Sequence, residues 1–538
     1  LDSTKRRLAF IGLICVITAL IFSLKPPAEY LPEGEEQKVF TMLFPPPGYN
    51  LPEMHTVYRK LEAEFLPYIG QDPALYARGE SEMPGLNFVM GYSGADRSMI
   101  LPEATSPAQV DDLVRIVSEK ISDLPGIRAF ASRGSIFSSN FGGTRSINLE
   151  IAGTDLVTLF GTANRAFAMA QQVFDNPQIR PTPSSLSLGQ PMIEVHPDWE
   201  RASELGIEAD ELGYAVWAYS DGAFLDEFFL GDDKIDMYVY STQGTIQQPG
   251  DVDNIMLYSP LGGIVPLSAI ADVRESVNTE TIRRVDGART ITLGIVPPKN
   301  IPLEVGVQMV QTQIMDKLMA EQEIAAAINM SITGANERLI ATRNSLSANF
   351  LVAVLISYLL LVASFSHWGY PFLIMTSVPV GIAGGIFGLW LLNFFGGFLS
   401  LLGFNDIHQP FDVITMLGFL ILIGTVVNNP ILIVDRAVKN IRRQGMQVKE
   451  AVLESTRTRL RPVMISSITT IFGLSPLVFY PGAGTELYRG LGAIVLFGLL
   501  FSTLVTLTFM PCLLSLVLEF TGRKSQSAPI HVIPEKSV

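Results

Sequence analysis

Apolar residues along the chain gather into long unbroken runs, separated by stretches in which apolar and polar positions alternate. Six runs, at 8–24, 346–366, 372–395, 413–434, 463–480 and 491–518, approach the length a helix needs to cross a bilayer core, roughly 20 residues for ~30 Å. Only helices satisfy every backbone group inside lipid, so the pattern predicts six transmembrane helices. Residues 26–343, between the first two runs, read differently. Val39–Phe44 predicts a strand and 51–67 a helix with apolar residues at helical spacing, broken apart by Pro45-Pro46-Pro47-Gly48. A second pair follows at Leu86–Tyr92 and 107–122, and a third at Ser146–Ile151 and 154–174. Its closing strand and helix are delayed to Thr290–Val296 and 303–319. Between them, 193–284 reads as an insert with its own hairpin turning at Gly262-Gly263. Strand–helix repeats of this kind build sheets backed by helices, which gives two α+β sandwiches and one inserted subdomain.

Charge orients the spans. Lys5, Arg6 and Arg7 precede the first run, Arg523 and Lys524 follow the last, and 437–461 holds seven Lys/Arg against Glu450 and Glu454. The positive-inside rule puts these regions in the cytoplasm. The loops at 397–411 and 481–490 then fall outside, with Arg489 their one Lys or Arg, and 26–343 is outside by the same count. Leu24-Lys25-Pro26-Pro27 follows the first run where a signal peptide would carry small residues, so that run is read as an uncleaved anchor. The chain begins at Leu1 rather than Met and is read as a fragment.

Composition fits this division, with 48% hydrophobic and 17% charged residues, and it narrows the chemistry. A net charge of −14 argues against a nucleic-acid partner, since phosphate binding needs a basic face. Cys15 and Cys512 both lie inside apolar runs and offer neither a disulfide framework nor a thiolate metal site. The five histidines are scattered without metal spacing. There is no Walker motif and no Gly-x-Ser-x-Gly elbow. No catalytic residue, cofactor or metal is assigned. Intramembrane ionisable groups are where transport chemistry is sought first, yet no carboxylate lies near the middle of a span; Asp412 and Asp435 sit at opposite ends of the fourth. The mid-span polar residues are Asn428 and Asn429, then Ser466, Ser467, Thr469 and Thr470. Helix–helix hydrogen bonding is the ordinary role of such groups. Adjacent asparagines before Pro430 are more unusual, because the proline frees the carbonyl of Val426 and leaves this turn hydrogen-bonding capacity for a partner. The small-xxx-small spacings of Gly381, Gly384, Gly385 and Gly388 predict close helix packing.

Three stretches carry a resemblance: Gly424–Asp435 in the fourth span, Arg459–Ser467 entering the fifth, and Ile193–Gly206 outside the membrane, together with Pro511 in the last span. With them, nearly the whole chain resembles the C-terminal half of a resistance-nodulation-division (RND) efflux transporter, of the hydrophobe/amphiphile branch. The resemblance implies a multi-pass α-helical membrane protein with six transmembrane helices. Its large α+β periplasmic region would hold two ferredoxin-like βαβ porter subdomains, 26–140 and the split 141–192 and 285–343, with a docking subdomain at 193–284. A first helix within 1–25, a five-helix bundle at 344–520 and a cytoplasmic tail at 521–538 complete it. It also implies a homotrimer in the bacterial inner membrane, in contact with lipid. The further partners would be an N-terminal half carrying the proton-binding aspartates, a periplasmic adaptor (membrane fusion protein) and an outer-membrane channel.

Position by position, Asn428 falls where many members have a lysine facing that aspartate pair, Asn429 adjoins it, Ser466 matches a hydroxyl position and Arg459 a functional arginine. An asparagine can hydrogen-bond a carboxyl group but supplies no counter-charge, so the departure at Asn428 bears on proton coupling. For substrate, the resemblance points to Phe88 and Tyr92 before a Gly94-Ala95 turn, and to Phe137 and Phe141 near the entrance strand; aromatic, mostly apolar pockets suit amphiphiles. The expected function is proton-driven export of amphiphilic or hydrophobic compounds from the periplasm or outer leaflet. Alternatives are a protein-export motor subunit of the SecD type, a soft-metal RND exporter and a non-transporting membrane sensor. The connection at 397–411 is longer than the family's usual one, and nothing in the sequence accounts for it.

Overall fold

The computed structural model describes residues 3–31, 36–46, 48–94, 97–134, 144–175, 177–184, 186–220, 222–240, 249–278, 281–401, 409–480 and 485–526. The helix α1 (Thr4–Phe22) leads into the first αβ unit, built in the order β1 (Val39–Phe44), α2 (Leu51–Phe65), α3 (Pro73–Ala77), β2 (Leu86–Ser93), β3 (Ser98–Ala104), α4 (Val110–Ser122) and β4 (Arg128–Arg133). Helix α2 starts where the Asn50 side chain accepts from the Glu53 N–H at 2.9 Å, a capping bond that satisfies an otherwise orphaned donor. Its Met54, Tyr58, Leu61 and Phe65 form one apolar stripe, buried together with Leu113, Val117 and Ile121 of α4 against β1 and β3. Strand order is β2-β3-β1-β4, antiparallel throughout, the arrangement of a ferredoxin-like split βαβ unit.

The second unit repeats this plan around an interruption. It opens with β5 (Ile147–Gly153), α5 (Leu156–Val173) and β6 (Gln178–Thr182). The insert follows: β7 (Gln190–Pro197), α6 (Trp199–Glu204), α7 (Ala209–Ser220), β8 (Ala223–Leu230), β9 (Asp233–Val239), β10 (Met256–Ser259), β11 (Gly263–Pro266) and β12 (Ala271–Asn278). The unit then resumes with β13 (Arg284–Val285), β14 (Ala288–Val296), α8 (Leu303–Met309), α9 (Asp316–Met319), α10 (Gln322–Ala327) and β15 (Ile328–Gly334). Strand β14 pairs with both β5 and β6, and β15 pairs with β5. The order β6-β14-β5-β15 therefore matches that of the first unit, with the insert occupying the hairpin connection between β6 and β14. Pairing of β7 with β12 closes the base of the insert. Nearly every residue of its β8–β9 ribbon is exposed.

The helical bundle comprises α11 (Ala335–Phe365), α12 (Gly369–Met375), α13 (Ser377–Leu401), α14 (Val413–Gln444), α15 (Val448–Phe479) and α16 (Thr485–Gln526). Among the described residues, five helical stretches are long and apolar enough to cross a membrane: Ala335–Phe365, Gly369–Gly397, Val413–Gln444, Val448–Phe479 and Leu487–Phe520. Helix α1, the first of the six spans expected from the sequence, is not one of the five, because Lys5, Arg6 and Arg7 take up its first turn. It is nevertheless part of the bundle. Arg7 is buried and donates to Ser515 Oγ (3.1 Å) while pairing with Glu519 (3.0 Å) on α16. Helix α15 begins well before the apolar run at 463, since the basic segment from Val448 continues as helix straight through Pro462.

The glycines of α13 do what their spacing predicts. A Cβ at Gly388 would lie 2.0 Å from Phe497 Cβ and one at Gly384 2.5 Å from Phe501 Cβ, both on α16, while Gly381 faces Val426 of α14. Helix α13 is therefore clamped between α14 and α16. One hydrophobic core runs without a break from Ile147, Leu159 and Leu293 of the second unit, through Ala28 and Phe411, to Met416, Leu422 and Val426 of α14.

Candidate functional site

Helix α14 is defined sharply at both ends. Asp412 caps it, accepting from the Thr415 N–H at 2.7 Å, and Gly445 ends it in the left-handed conformation at φ 65°. Halfway along, its two adjacent asparagines diverge, one turned into the bundle and one out of it. Asn429 is buried, and its Nδ2 donates to Ser467 Oγ of α15 (3.2 Å) and Thr503 Oγ1 of α16 (3.0 Å). The two hydroxyls also bond each other at 3.0 Å. This closed triangle of polar groups ties three helices together, and none of its members is left facing apolar surroundings. Thr503 belongs to it although the sequence reading passed over it; its polarity within the last apolar run was the signal that could have found it.

Asn428 is turned outward and exposed, with Gly424 and the half-buried Thr425 one turn before it. Thr425 spends its hydroxyl on the carbonyls of Leu422 and Ile421. On α15, Ser466 is likewise exposed, whereas its neighbour Ser467 is inside. Thr469 and Thr470 return their hydroxyls to the carbonyls of Ile465 and Ser466. The structure thus brings Asn429 into the bundle's interior and leaves Asn428 and Ser466 on its outer surface. Arg459 is half-buried toward the end of the bundle remote from the αβ units, with Nε buried and without a hydrogen-bond partner. In the same half of α14, Asn440 is buried with both side-chain polar atoms unpartnered.

In the first unit, Phe88, Met90 and Tyr92 alternate along β2 and so share one face of the sheet. All three are exposed. The opposite face of this strand packs inward, Val89 on the unit's core and Gly91 over the Tyr58 ring. Met90 completes the stripe and could have been found from the strand's alternation. Phe137 and Phe141 lie outside the described residues, as do Ala95 and residues 402–408 of the 397–411 connection.

The two units meet edge to edge, where Gln178 of β6 donates to the Ala131 carbonyl of β4 at 2.9 Å and Arg128 donates to the Ser184 carbonyl at 2.6 Å. Guanidinium groups gather along this seam. Burial pushes both Arg128 and Arg180 below the usual arginine range, and at Arg180 the charge of Arg97 adds to the effect.

A profile of the AcrB/AcrD/AcrF family matches residues 1–518. The chain belongs to this family of RND transporters. The chain is 25% identical over 502 residues to the swarming motility protein SwrC of Bacillus subtilis (strain 168), covering 92% of this chain and 44% of that protein. It is 25% identical over 530 residues to the multidrug export protein AcrF of Escherichia coli (strain K12), covering 95% and 47%. Identity to the cobalt-zinc-cadmium resistance protein CzcA of Cupriavidus metallidurans is 23% over 516 residues, covering 93% and 46%. The chain therefore spans about half the length of the curated relatives it matches. A crystal structure of a heavy metal efflux pump superposes with a TM-score of 0.70 at 20% identity, covering 96% of this chain and 51% of that one, which establishes a shared fold.

Proposed function

We propose that this chain is the C-terminal half of a proton-driven RND exporter of amphiphilic compounds, seated in a bacterial inner membrane. In this reading α1 is a sixth span, the two αβ units are periplasmic porter subdomains and the insert is a docking subdomain. The working assembly is a trimer that includes a proton-binding N-terminal half and engages an adaptor and an outer-membrane channel.

The observation that carries the reading is the outward face of α14 and α15. A polar group turned out of a helical bundle within a membrane has neither water nor lipid to bond with, at a cost of several kcal/mol if left so. Asn428 and Ser466 on that face call for a second bundle that brings polar partners. Each can bond a carboxyl group in either protonation state, since an amide and a hydroxyl both donate and accept. The inward triangle of Asn429, Ser467 and Thr503 keeps α14, α15 and α16 together while that contact changes.

For cargo, the exposed Phe88–Met90–Tyr92 stripe offers apolar and aromatic contact. The test is accumulation of a fluorescent amphiphile in cells that make the full transporter, measured with and without a protonophore. Lower accumulation that the protonophore abolishes is expected. Unchanged dye levels together with protonophore-sensitive resistance to cobalt, zinc or cadmium would replace the amphiphile with a metal cargo, as in the name of the CzcA relative. Export that ignores the protonophore would overturn the energy source.

A further inference from the structure

The segment that leaves α1 forms a short ladder with the start of α14. The Glu29 N–H donates to the Phe411 carbonyl at 3.0 Å, and the Val413 N–H donates to the Tyr30 carbonyl at 3.1 Å. Ala28 and Phe411 form the associated parallel bridge, and both are buried. On its other side the same segment is bonded to the second αβ unit. The Ala28 N–H donates to Glu304 Oε2 at 2.8 Å, and the Glu304 N–H returns to the Ala28 carbonyl at 3.2 Å. Glu304 also accepts from Arg343 of α11 at 3.2 Å.

At the centre lies a buried ion pair. The Glu29 carboxylate accepts from the N–H of Leu303, the first residue of α8, at 2.9 Å and sits 3.3 Å from Arg145. Arg145 also donates to the carbonyls of Pro297 (3.4 Å), Pro298 (3.3 Å) and Ile301 (2.6 Å). The two side chains are 9% and 6% exposed. A buried pair gains little net stability over well-packed apolar side chains, but it enforces one geometry, because losing either partner strands a charge.

We propose that Glu29 and Arg145 are positioning residues that lock the second αβ unit to the start of α14, so that the two move as one body during transport. This rests on the reading of α14 as the helix that meets the proton-binding half. Asn428 lies sixteen residues along that helix from Asp412, about 24 Å at ~1.5 Å per residue. A shift of α14 driven at Asn428 reaches the porter unit without slack, because the ladder ties residues 28–30 to α14, the ion pair ties the same residues to the second unit, and the continuous core joins the two bodies directly.

The test uses the complete transporter in its native membrane. Glu29→Gln keeps the side chain's shape and removes the charge opposite Arg145. Transport is expected to fall at least tenfold at unchanged membrane abundance. Glu29→Asp, which keeps the charge opposite Arg145, should hold transport to within about twofold of wild type, which a general packing defect at residue 29 would not allow. Unchanged transport in Glu29→Gln, or an equal loss in Glu29→Asp, overturns the proposal. If Glu29→Gln fails to reach the membrane, a disulfide across the ladder, with Tyr30→Cys and Val413→Cys, decides: a rigid ladder tolerates it, whereas transport lost on oxidation and regained on reduction means that the ladder opens during the cycle and overturns the proposal. Amide hydrogen exchange needs no cargo. Glu29→Gln should lower protection together at 28–30, 301–304 and 411–413, and wild-type protection at 411–413 would contradict the lock. If exchange responds as expected while the wild type exports nothing, the lock stands and the proposed function falls.

Discussion

Asp412 shows how one residue can serve local structure at an electrostatic cost. It caps α14 through one carboxylate oxygen, but it is fully buried and its other oxygen has no hydrogen-bond partner. Burial pushes its pKa up to about 6, against the pull of the bonds from Thr415 and Ile414. A carboxyl group whose folded pKa lies above its unfolded value binds its proton more tightly when folded. Its contribution to stability is complete below the unfolded value near 4 and is lost as pH rises through 6. Asp412→Asn keeps an acceptor for the Thr415 N–H and removes the buried charge. Thermal unfolding in detergent should show the variant gaining roughly 3 kcal/mol on the wild type at pH 7, and the advantage should vanish near pH 4. Equal pH dependence of the two would mean that Asp412 is not buried as an acid. Asn429 makes a second case. Asn429→Ala leaves Ser467 and Thr503 bonded to each other but loses two contacts, an expected cost of about 1–2 kcal/mol, read in the same unfolding experiment. The asparagine pair was legible in the sequence, but its division into an inward and an outward member was not. Adjacent residues on a helix differ by about 100° in direction, and only the positions of α15 and α16 decide which of them is enclosed.

Among the elements, α13 was the most legible. Its glycine spacing predicted close approach, and the contacts with Phe497, Phe501 and Val426 supply the partners. Gly388→Ala would force α13 and α16 apart, because the atom it meets is a Cβ held near the backbone and not the end of a flexible chain. The expected loss is about 1–3 kcal/mol. Gly161, exposed on α5 with nothing within 4 Å of a Cβ, provides the control: Gly161→Ala should gain about 0.5–1 kcal/mol. Opposite signs are required; a loss at both positions would point to damage unrelated to packing. Strand–helix alternation likewise revealed β1, α2, β2, α4, β5, α5 and β14 close to their observed limits, since each carries its own periodicity. The β8–β9 ribbon was missed because it lacks the inside–outside alternation that a half-buried strand shows. The ladder between Glu29 and Phe411 could not be read at all: its partners lie hundreds of residues apart and leave no local pattern.

At the scale of the molecule, two units of one topology stand on a bundle whose best-buried helices are α13, α14 and α16, while α11 and α15 expose most of their apolar surface. Lipid suits the leucines and phenylalanines on those surfaces. It does not suit Asn428, and the whole account turns on what that residue faces. The deciding measurement is transport by Asn428→Leu in the complete transporter, with membrane abundance measured alongside. A lipid-facing asparagine would lose nothing on becoming leucine, whereas one that bonds a carboxyl group in a second bundle cannot be replaced by an apolar side chain. The account predicts at least a tenfold loss of proton-driven export at normal abundance. Wild-type export by Asn428→Leu would contradict it.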